Sequence, residues 1–510
     1  MGVIRRNLIA NFAGQGWIAL MGFVFVPFYL RFIGAEGYGL IGFFVLLTST
    51  LSLLDMGFNV TATRQIVAYM EADDEKRVRI ATLLRSIEAM FWAIAVLAGV
   101  LVGAGAPLIA AHWLNVDAQR VPEATAAIRL MAVAIVVQFP IDFYNGCLIG
   151  LQRQVRLNAI NSVGATIRGA GAIFVLWFVS PTVKGFFAWQ CVLSLATVIS
   201  LRYFLWKNIG PRKTARWFDP VALREVGSFT AGVGGINVLS YLLTQLDKII
   251  LSRILPLSAF GYYTLAWTLG TFAYRFTGPI FNAYYPRIAQ LVTQGGPGDL
   301  VDPSPETELV GVYLKASRVM AIAIVPFSVW LAYFGKQLLT LWTHDPMVAQ
   351  AAAGAVTLIA LGTMCNGFMH IPYGLQLASG WIRLAFWQNV AAIVLMVPLT
   401  FYFATHYGIT GAALPWLILN IGYVVVGAPL MYRMMLQGTK WQWFRSSVVY
   451  PFLQASCLTG MFYFMASRLG NPLGGVALMG LALFVSVTLV ALGSGIVNIR
   501  EVIRYCRAYG

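Results

Sequence analysis

About fourteen stretches of roughly 20 predominantly apolar residues follow one another along the chain, separated by short polar segments. A bilayer core offers no hydrogen-bond partners, so each stretch must satisfy its own backbone, which makes it a transmembrane helix. A soluble fold is excluded by the scarcity of charge. Charged residues are 11% of the 510 and hydrophobic ones 59%, with mean hydropathy +0.75. Soluble domains carry about 25% charged residues to cover their surface. The expected architecture is an all-α polytopic membrane protein of about 14 helices. The opening "MGVIRRNLIANF" has basic residues ahead of an apolar run and no small-residue cleavage site after it, so it reads as an uncleaved first span.

The net charge of +16 would point a soluble protein towards nucleic acid, but in a membrane chain Lys and Arg gather in cytoplasmic loops. With fourteen spans, 25 of the 35 Lys and Arg fall on the side of the N-terminus and seven on the other. That asymmetry places both termini in the cytoplasm and makes a nucleic-acid partner unnecessary. Five Cys and four His are scattered, so neither a disulfide framework nor a metal site is expected.

The chain resembles itself at a shift of about 224 residues. Gly37-Tyr38 corresponds to Gly261-Tyr262, Arg64 to Arg287, and Gly150-Leu151-Gln152 to Gly374-Leu375-Gln376. The shift carries span 1 onto span 7, an even number of crossings, so the halves run parallel. The expected organisation is an N-terminal six-helix lobe over 1–210, a basic cytoplasmic linker over 211–226 and a C-terminal six-helix lobe over 227–436. Two extra helices and a basic tail follow over 437–510. Two parallel bundles around a central cavity is a transporter architecture, although fold alone does not fix function.

Polar residues recur at helical spacing inside several spans: Asn7, Asn11 and Gln15; Asn158, Asn161 and Arg168; Tyr241, Thr244 and Lys248; Thr264, Thr268, Thr271 and Arg275. Polar stripes in lipid mark a partner helix or a water-filled cavity. Three cations, Arg168, Lys248 and Arg275, lie within spans, with Asp142, Asp247 and Asp55 as the acids available to them. If each cation only neutralised an acid, the interior would be structural. Left as a set, the two arginines suit a bidentate, multiply charged anion such as a diphosphate. His370 reads as a packed polar residue, and "GGPGDLVDPSPETE" has no phosphate-loop lysine and hence no nucleotide site.

The segments "NLIANFAGQGWIALMGFVFVPFYLRFIGAEGYGLIGFFVLL" and "LLDMGFNVTATRQIV", with "QLDKIILSRILPLSAFGYYTLA" opening the second half, resemble the polysaccharide-transport flippases. These move O-antigen and exopolysaccharide repeat units and belong to the multidrug/oligosaccharidyl-lipid/polysaccharide exporter superfamily. The resemblance implies an undecaprenyl-diphosphate-linked oligosaccharide carried from the inner to the outer leaflet of the bacterial cytoplasmic membrane. It implies alternating access by two lobes, no cofactor, coupling to an H+ or Na+ gradient, and a place beside the polysaccharide polymerase machinery for a monomeric protein. On that footing Arg168, Lys248 and Arg275 would form the cationic substrate cavity. Asp142, Asp247, Asn161, Thr244 and Thr271 would be their polar partners, and Asp55, Arg64 and Arg287 the gate. Spans 13 and 14 would offer a groove for the lipid tail.

Three other readings remain. A peptidoglycan-precursor flippase shares the fold and a cationic cavity but opens with a differently spaced Arg-rich segment. A drug or cation antiporter of the same superfamily would have an acidic cavity and usually twelve spans. A membrane glycosyltransferase, polymerase or ligase would need a large outer loop with catalytic residues. The longest outer stretches, "AHWLNVDAQRVPEA" and "KQLLTLWTHDPMVAQ", are short and poor in acids, so an enzyme is not expected.

Overall fold

The computed structural model describes all residues except 1, 56, 72, 210–215, 295–300, 302–306, 382, 469–471 and 495–510. The described residues are almost wholly helical, with a single isolated bridge between Asn115 and Pro256 and no strand. They divide into two compact units, Met1–Gly261 and Tyr262–Gly510.

The first unit holds α1 (Gly2–Val24), α2 (Val26–Leu51), α3 (Phe58–Glu71), α4 (Asp74–Leu108), α5 (Val121–Gln138), α6 (Ile141–Gly150), α7 (Gln154–Phe178), α8 (Val183–Ile209) and α9 (Pro220–Ile254). The helix α10 (Leu257–Gly270) begins there as well. The second unit continues with α11 (Tyr274–Gln294), α12 (Glu308–Thr343), α13 (Pro346–Phe368), α14 (His370–Ala378), α15 (Arg383–Gly422), α16 (Tyr450–Arg468) and α17 (Pro472–Gly493).

The sequence explains where these helices start and break. Asp73 accepts a hydrogen bond from the Lys76 amide at the head of α4. Asp219-Pro220 opens α9 and Asp345-Pro346 opens α13, the carboxylate capping the free amides while proline occupies the first turn, where no donor is missed. Gly34 (φ 70°) kinks α2 and Gly408 (φ 58°) kinks α15, in a backbone region that side chains disfavour. In the first unit Phe91, Phe143, Tyr144, Leu201 and Leu205 make the core between α4, α6 and α8. In the second, Tyr313, Met320, Ile324, Tyr432 and Trp443 pack around α12.

Ten helical segments among the described residues are long and apolar enough to cross a membrane, against the fourteen crossings expected. One of the four missing crossings has a physical origin. Segment Arg383–Met434 runs 52 residues through the Gly408 kink, enough for two crossings at 1.5 Å per residue. The other three expected crossings correspond to α1, α9 and the pair α10–α11, none of which is among the ten. The linker's residues 211–215 and the tail from 495 lie outside the described residues. Packing draws its boundary at Gly261, so α9 groups with the first unit, whereas the sequence repeat starts a new copy at 227. The former reflects contact and the latter sequence likeness.

Gly39, just after the first copy of the repeated Gly-Tyr motif, and Gly261, in the second copy, mark a close approach in the first unit. A Cβ built on Gly39 would lie 2.2 Å from the Leu257 carbonyl oxygen, and one on Gly261 would lie 2.3 Å from that of Ala35. The two copies cross backbone against backbone, a contact open only to residues without side chains. The seam continues nearby: Trp113 donates its indole N–H to Ser252 Oγ at 3.0 Å, and the Leu257 amide donates to the Asn115 carbonyl at 3.2 Å.

Candidate functional site

Helix α7 has a polar stripe with two fates. Near its start it is stitched to α1: Asn158 donates to Asn11 Oδ1 at 2.5 Å, Asn11 donates to Gln154 Oε1 at 3.0 Å, and Trp17 donates to Thr166 Oγ1 at 2.8 Å. A Cβ on Gly14 would sit 2.7 Å from Asn158 Oδ1, so glycine is what lets the two helices close. This half of the stripe is a helix–helix seam. Further along, Arg168 reaches α8, where Nη1 donates to Oε1 of buried Gln190 at 3.2 Å. Among the described residues Arg168 forms no ion pair. A guanidinium within a span, held by one neutral amide, is costly by a few kcal/mol.

Asp247 and Lys248 neutralise each other. Asp247 is 4% exposed, and Lys248 Nζ reaches its Oδ1 at 3.3 Å while donating to the Thr244 carbonyl at 2.9 Å. Thr244 Oγ1 donates to the Tyr241 carbonyl, and the Tyr241 hydroxyl bonds Thr50 on α2. The side chain of Lys248 thus bends back along α9.

The remaining expected residues separate. Asp55 accepts from the Asn59 amide at 2.9 Å, anchoring the start of α3, and forms no ion pair with Arg64 among the described residues. Its carboxylate is committed to a helix end instead of a gate pair. Asp142 is exposed at the first turn of α6, within electrostatic range of Asp55, and Asn161 is half-buried on α7. In the second unit, Thr271 Oγ1 donates to the Trp267 carbonyl at 2.6 Å, within its own helix turn. Arg275 is exposed just past the break between α10 and α11, without an ion pair among the described residues. Arg287 donates to Gln290 Oε1 at 2.7 Å and pairs with Glu308, both partners of that pair well exposed.

One polar centre escaped the sequence reading. Glu88 on α4 is 7% exposed and takes three donors: the Tyr144 hydroxyl at 2.6 Å, Arg202 Nε at 2.7 Å and Trp206 Nε1 at 3.1 Å. Trp92 Nε1 adds a bond to the Tyr144 oxygen at 3.3 Å. A lone acid in an apolar span demands a donor elsewhere, and Arg202 at the end of another span was the available clue.

Residues 4–292 match the family described as "Polysaccharide biosynthesis protein", more than half of the chain. The chain belongs to the polysaccharide biosynthesis protein family. It is 18% identical over 416 residues to a putative O-antigen transporter from Shigella flexneri, across 81% of this chain and 94% of that protein. Among solved structures, the lipid II flippase MurJ in an inward closed conformation superposes with a TM-score of 0.60 at 12% identity, covering 95% of this chain and 98% of that one. An inward-facing multidrug resistance MATE family transporter of the MOP superfamily gives 0.61 at 15%, covering 83% and 94%. Identities this low establish the fold, and the family match gives the membership that the opening and mid-chain segments implied. This member of the polysaccharide biosynthesis family is a multi-pass membrane protein with the MurJ/MATE fold.

Proposed function

We propose that the protein is a lipid-linked oligosaccharide flippase, carrying undecaprenyl-diphosphate-linked polysaccharide repeat units from the cytoplasmic to the outer leaflet of the bacterial inner membrane. The observation that carries this reading is Arg168, an intramembrane guanidinium whose polar contact among the described residues is the neutral Gln190 amide. A cation kept in a span without an acid is a site for an anion brought from outside, and a guanidinium fork matches phosphate oxygens. Arg275, also without an ion pair among the described residues, would take a second phosphate or an acidic sugar, with Lys248 held in reserve by Asp247. The kinship with a putative O-antigen transporter supports the same substrate class. Both termini would lie in the cytoplasm, and an H+ or Na+ gradient would drive the alternation. A drug-cation antiporter is disfavoured by the same arginine, which would repel its substrate.

The test uses cells lacking the protein, complemented with wild type, Arg168→Gln or Arg275→Gln at matched expression, with the diphosphate-linked oligosaccharide on the inner leaflet quantified. Wild type should clear the accumulated intermediate and the variants should leave most of it. Clearance by both variants would reduce the arginines to structural roles. No accumulation in the deletion strain would sink the flippase reading, and accumulation of the peptidoglycan precursor instead would turn it towards that substrate.

A further inference from the structure

A cavity of about 500 Å³ lies in the second unit, between the end of α12 and the hairpin of α16 and α17. Contacts deeper in the helices hold its walls. The Trp330 indole on α12 donates to the Met479 carbonyl on α17 at 2.8 Å. The Tyr463 ring on α16 packs edge-on against Phe334 of α12 at 5.4 Å, and Thr459 bonds Ser486 across the hairpin at 3.2 Å. Nearer the helix ends the lining includes the small residues Ala466 and Gly475, and a Cβ on Gly475 would meet nothing within 4 Å. The helices are thus fastened at depth and leave space near their ends. Leu341 and Val476 line that space and are exposed, so it opens on an apolar surface.

Into these apolar walls the lining brings one cation, Lys336, and no acid. Lys336 is exposed and forms no ion pair among the described residues. It stands two turns, about 10 Å, before the end of α12 at Thr343, a depth from which a long amine reaches lipid phosphate. A lone lysine there would mark only an interface. Its neighbours supply the selectivity. Gln337 lines the same cavity, and its Oε1 is buried without a donor, a costly state for a polar atom. The hydroxyls of Thr340 and Ser467 already donate to the carbonyls of Lys336 and Phe464, so towards the cavity they can only accept. The lining therefore calls for a ligand that is anionic, carries hydroxyl donors and has an apolar body.

We propose that this cavity binds a membrane phospholipid with an anionic, hydroxylated headgroup, of the phosphatidylglycerol type. The phosphodiester meets Lys336, a headgroup hydroxyl donates to Gln337 Oε1, and the acyl chains lie along Leu341 and Val476. A choline headgroup has no donor for Gln337, and an ethanolamine headgroup brings a second ammonium to the lysine. The site lies wholly in the second unit and does not rest on the substrate proposed above.

The full-length protein, delipidated in a neutral detergent, is titrated with phosphatidylglycerol, phosphatidylmethanol or phosphatidylcholine of the same acyl chains. Bound lipid is counted by native mass spectrometry. Phosphatidylmethanol keeps the charged phosphodiester and lacks the hydroxyls, so it separates the two contacts. The lysine should favour phosphatidylmethanol over phosphatidylcholine about five-fold. The hydroxyl should favour phosphatidylglycerol over phosphatidylmethanol by about five-fold again. Lys336→Gln should remove the first preference, and Gln337→Leu the second alone. Gly475→Phe, which puts a ring into the open space, should weaken phosphatidylglycerol binding in proportion to the space it fills. The walls are held by Trp330, Tyr463 and Thr459, so these changes leave the helix contacts in place. Equal affinity for phosphatidylglycerol and phosphatidylcholine overturns the proposal, as does a preference unchanged in Lys336→Gln. Equal affinity for phosphatidylglycerol and phosphatidylmethanol overturns the hydroxylated headgroup. Displacement by equimolar farnesyl phosphate would overturn the phospholipid assignment in favour of an isoprenoid carrier, and displacement by millimolar glycerol phosphate in favour of a soluble anion.

Discussion

The glycine crossing between the two sequence repeats can be tested by adding one methyl group. In Gly39→Ala the new carbon would sit 2.2 Å from the Leu257 carbonyl oxygen and 3.1 Å from its carbon. Side-chain carbons essentially never approach another heavy atom within 3.0 Å, so the backbones must part by at least 0.8 Å, the difference between 3.0 and 2.2. The obstacle is backbone, which cannot rotate aside as a side chain can, so the cost belongs to the overpacking class, about 1–3 kcal/mol. Gly261→Ala meets the Ala35 oxygen at 2.3 Å and the Gly39 nitrogen at 2.9 Å, so it strains the same crossing from the other side. Gly22→Ala is the control, since a Cβ there meets nothing within 4 Å. Thermal unfolding of the purified protein, followed by intrinsic fluorescence at a fixed scan rate, should give a lower midpoint for each crossing variant than for Gly22→Ala. The double variant should lose less than the sum of the single losses, because the first methyl has already opened the gap the second needs. Two midpoints equal to the control, or strictly additive losses, would refute a shared backbone crossing.

Further expectations follow from the charged and polar pairs. Glu88→Ala strands the hydroxyl of Tyr144 and the indole of Trp206, about 1–3 kcal/mol per buried donor, while Arg202, 49% exposed, recovers water; thermal stability should fall clearly, and less in Glu88→Gln. Asp247→Ala removes the carboxylate beside the Lys248 ammonium and should depress the yield of folded protein, with Asp247→Ala/Lys248→Met recovering much of it, as measured by monodisperse yield after extraction. Asn158→Ala breaks the bond to Asn11 and should cost about 0.6 kcal/mol, the usual size of an interhelical hydrogen bond in a membrane protein, without changing the mobility of a label placed on α8.

What the sequence disclosed and what it withheld follow from the range of the interactions involved. The class of the chain was legible because lipid leaves each span to satisfy its own backbone, a requirement met within twenty consecutive residues. The helix starts at Asp219-Pro220 and Asp345-Pro346 went unread because the span count followed apolar residues alone, although each cap and its amides lie two or three residues apart. The Gly-Tyr repeat was visible as a pattern, but the close approach of Gly39, beside its first copy, to Leu257 joins residues more than two hundred positions apart and appears only in the fold. Glu88 went unremarked because an isolated acid forms no stripe, although the cost of burying it guaranteed distant donors.

The same reasoning separates the interior charges from one another. In a medium of low dielectric a charge is defined by its compensation. Glu88 has three donors, Asp247 has the adjacent ammonium, and Asp55 has the amide of its own helix. Each is accounted for within the protein, and each would serve as well in a chain that carried nothing. Arg168 has one neutral amide at 3.2 Å. Sequence reading picked out three of the four, missed Glu88, and could not rank them, because compensation is a property of distances. Ranked by compensation, Arg168 comes last of these four, which is what supports the proposal of an anionic ligand there, since a ligand that completes a guanidinium inside a membrane must bring its own negative charge.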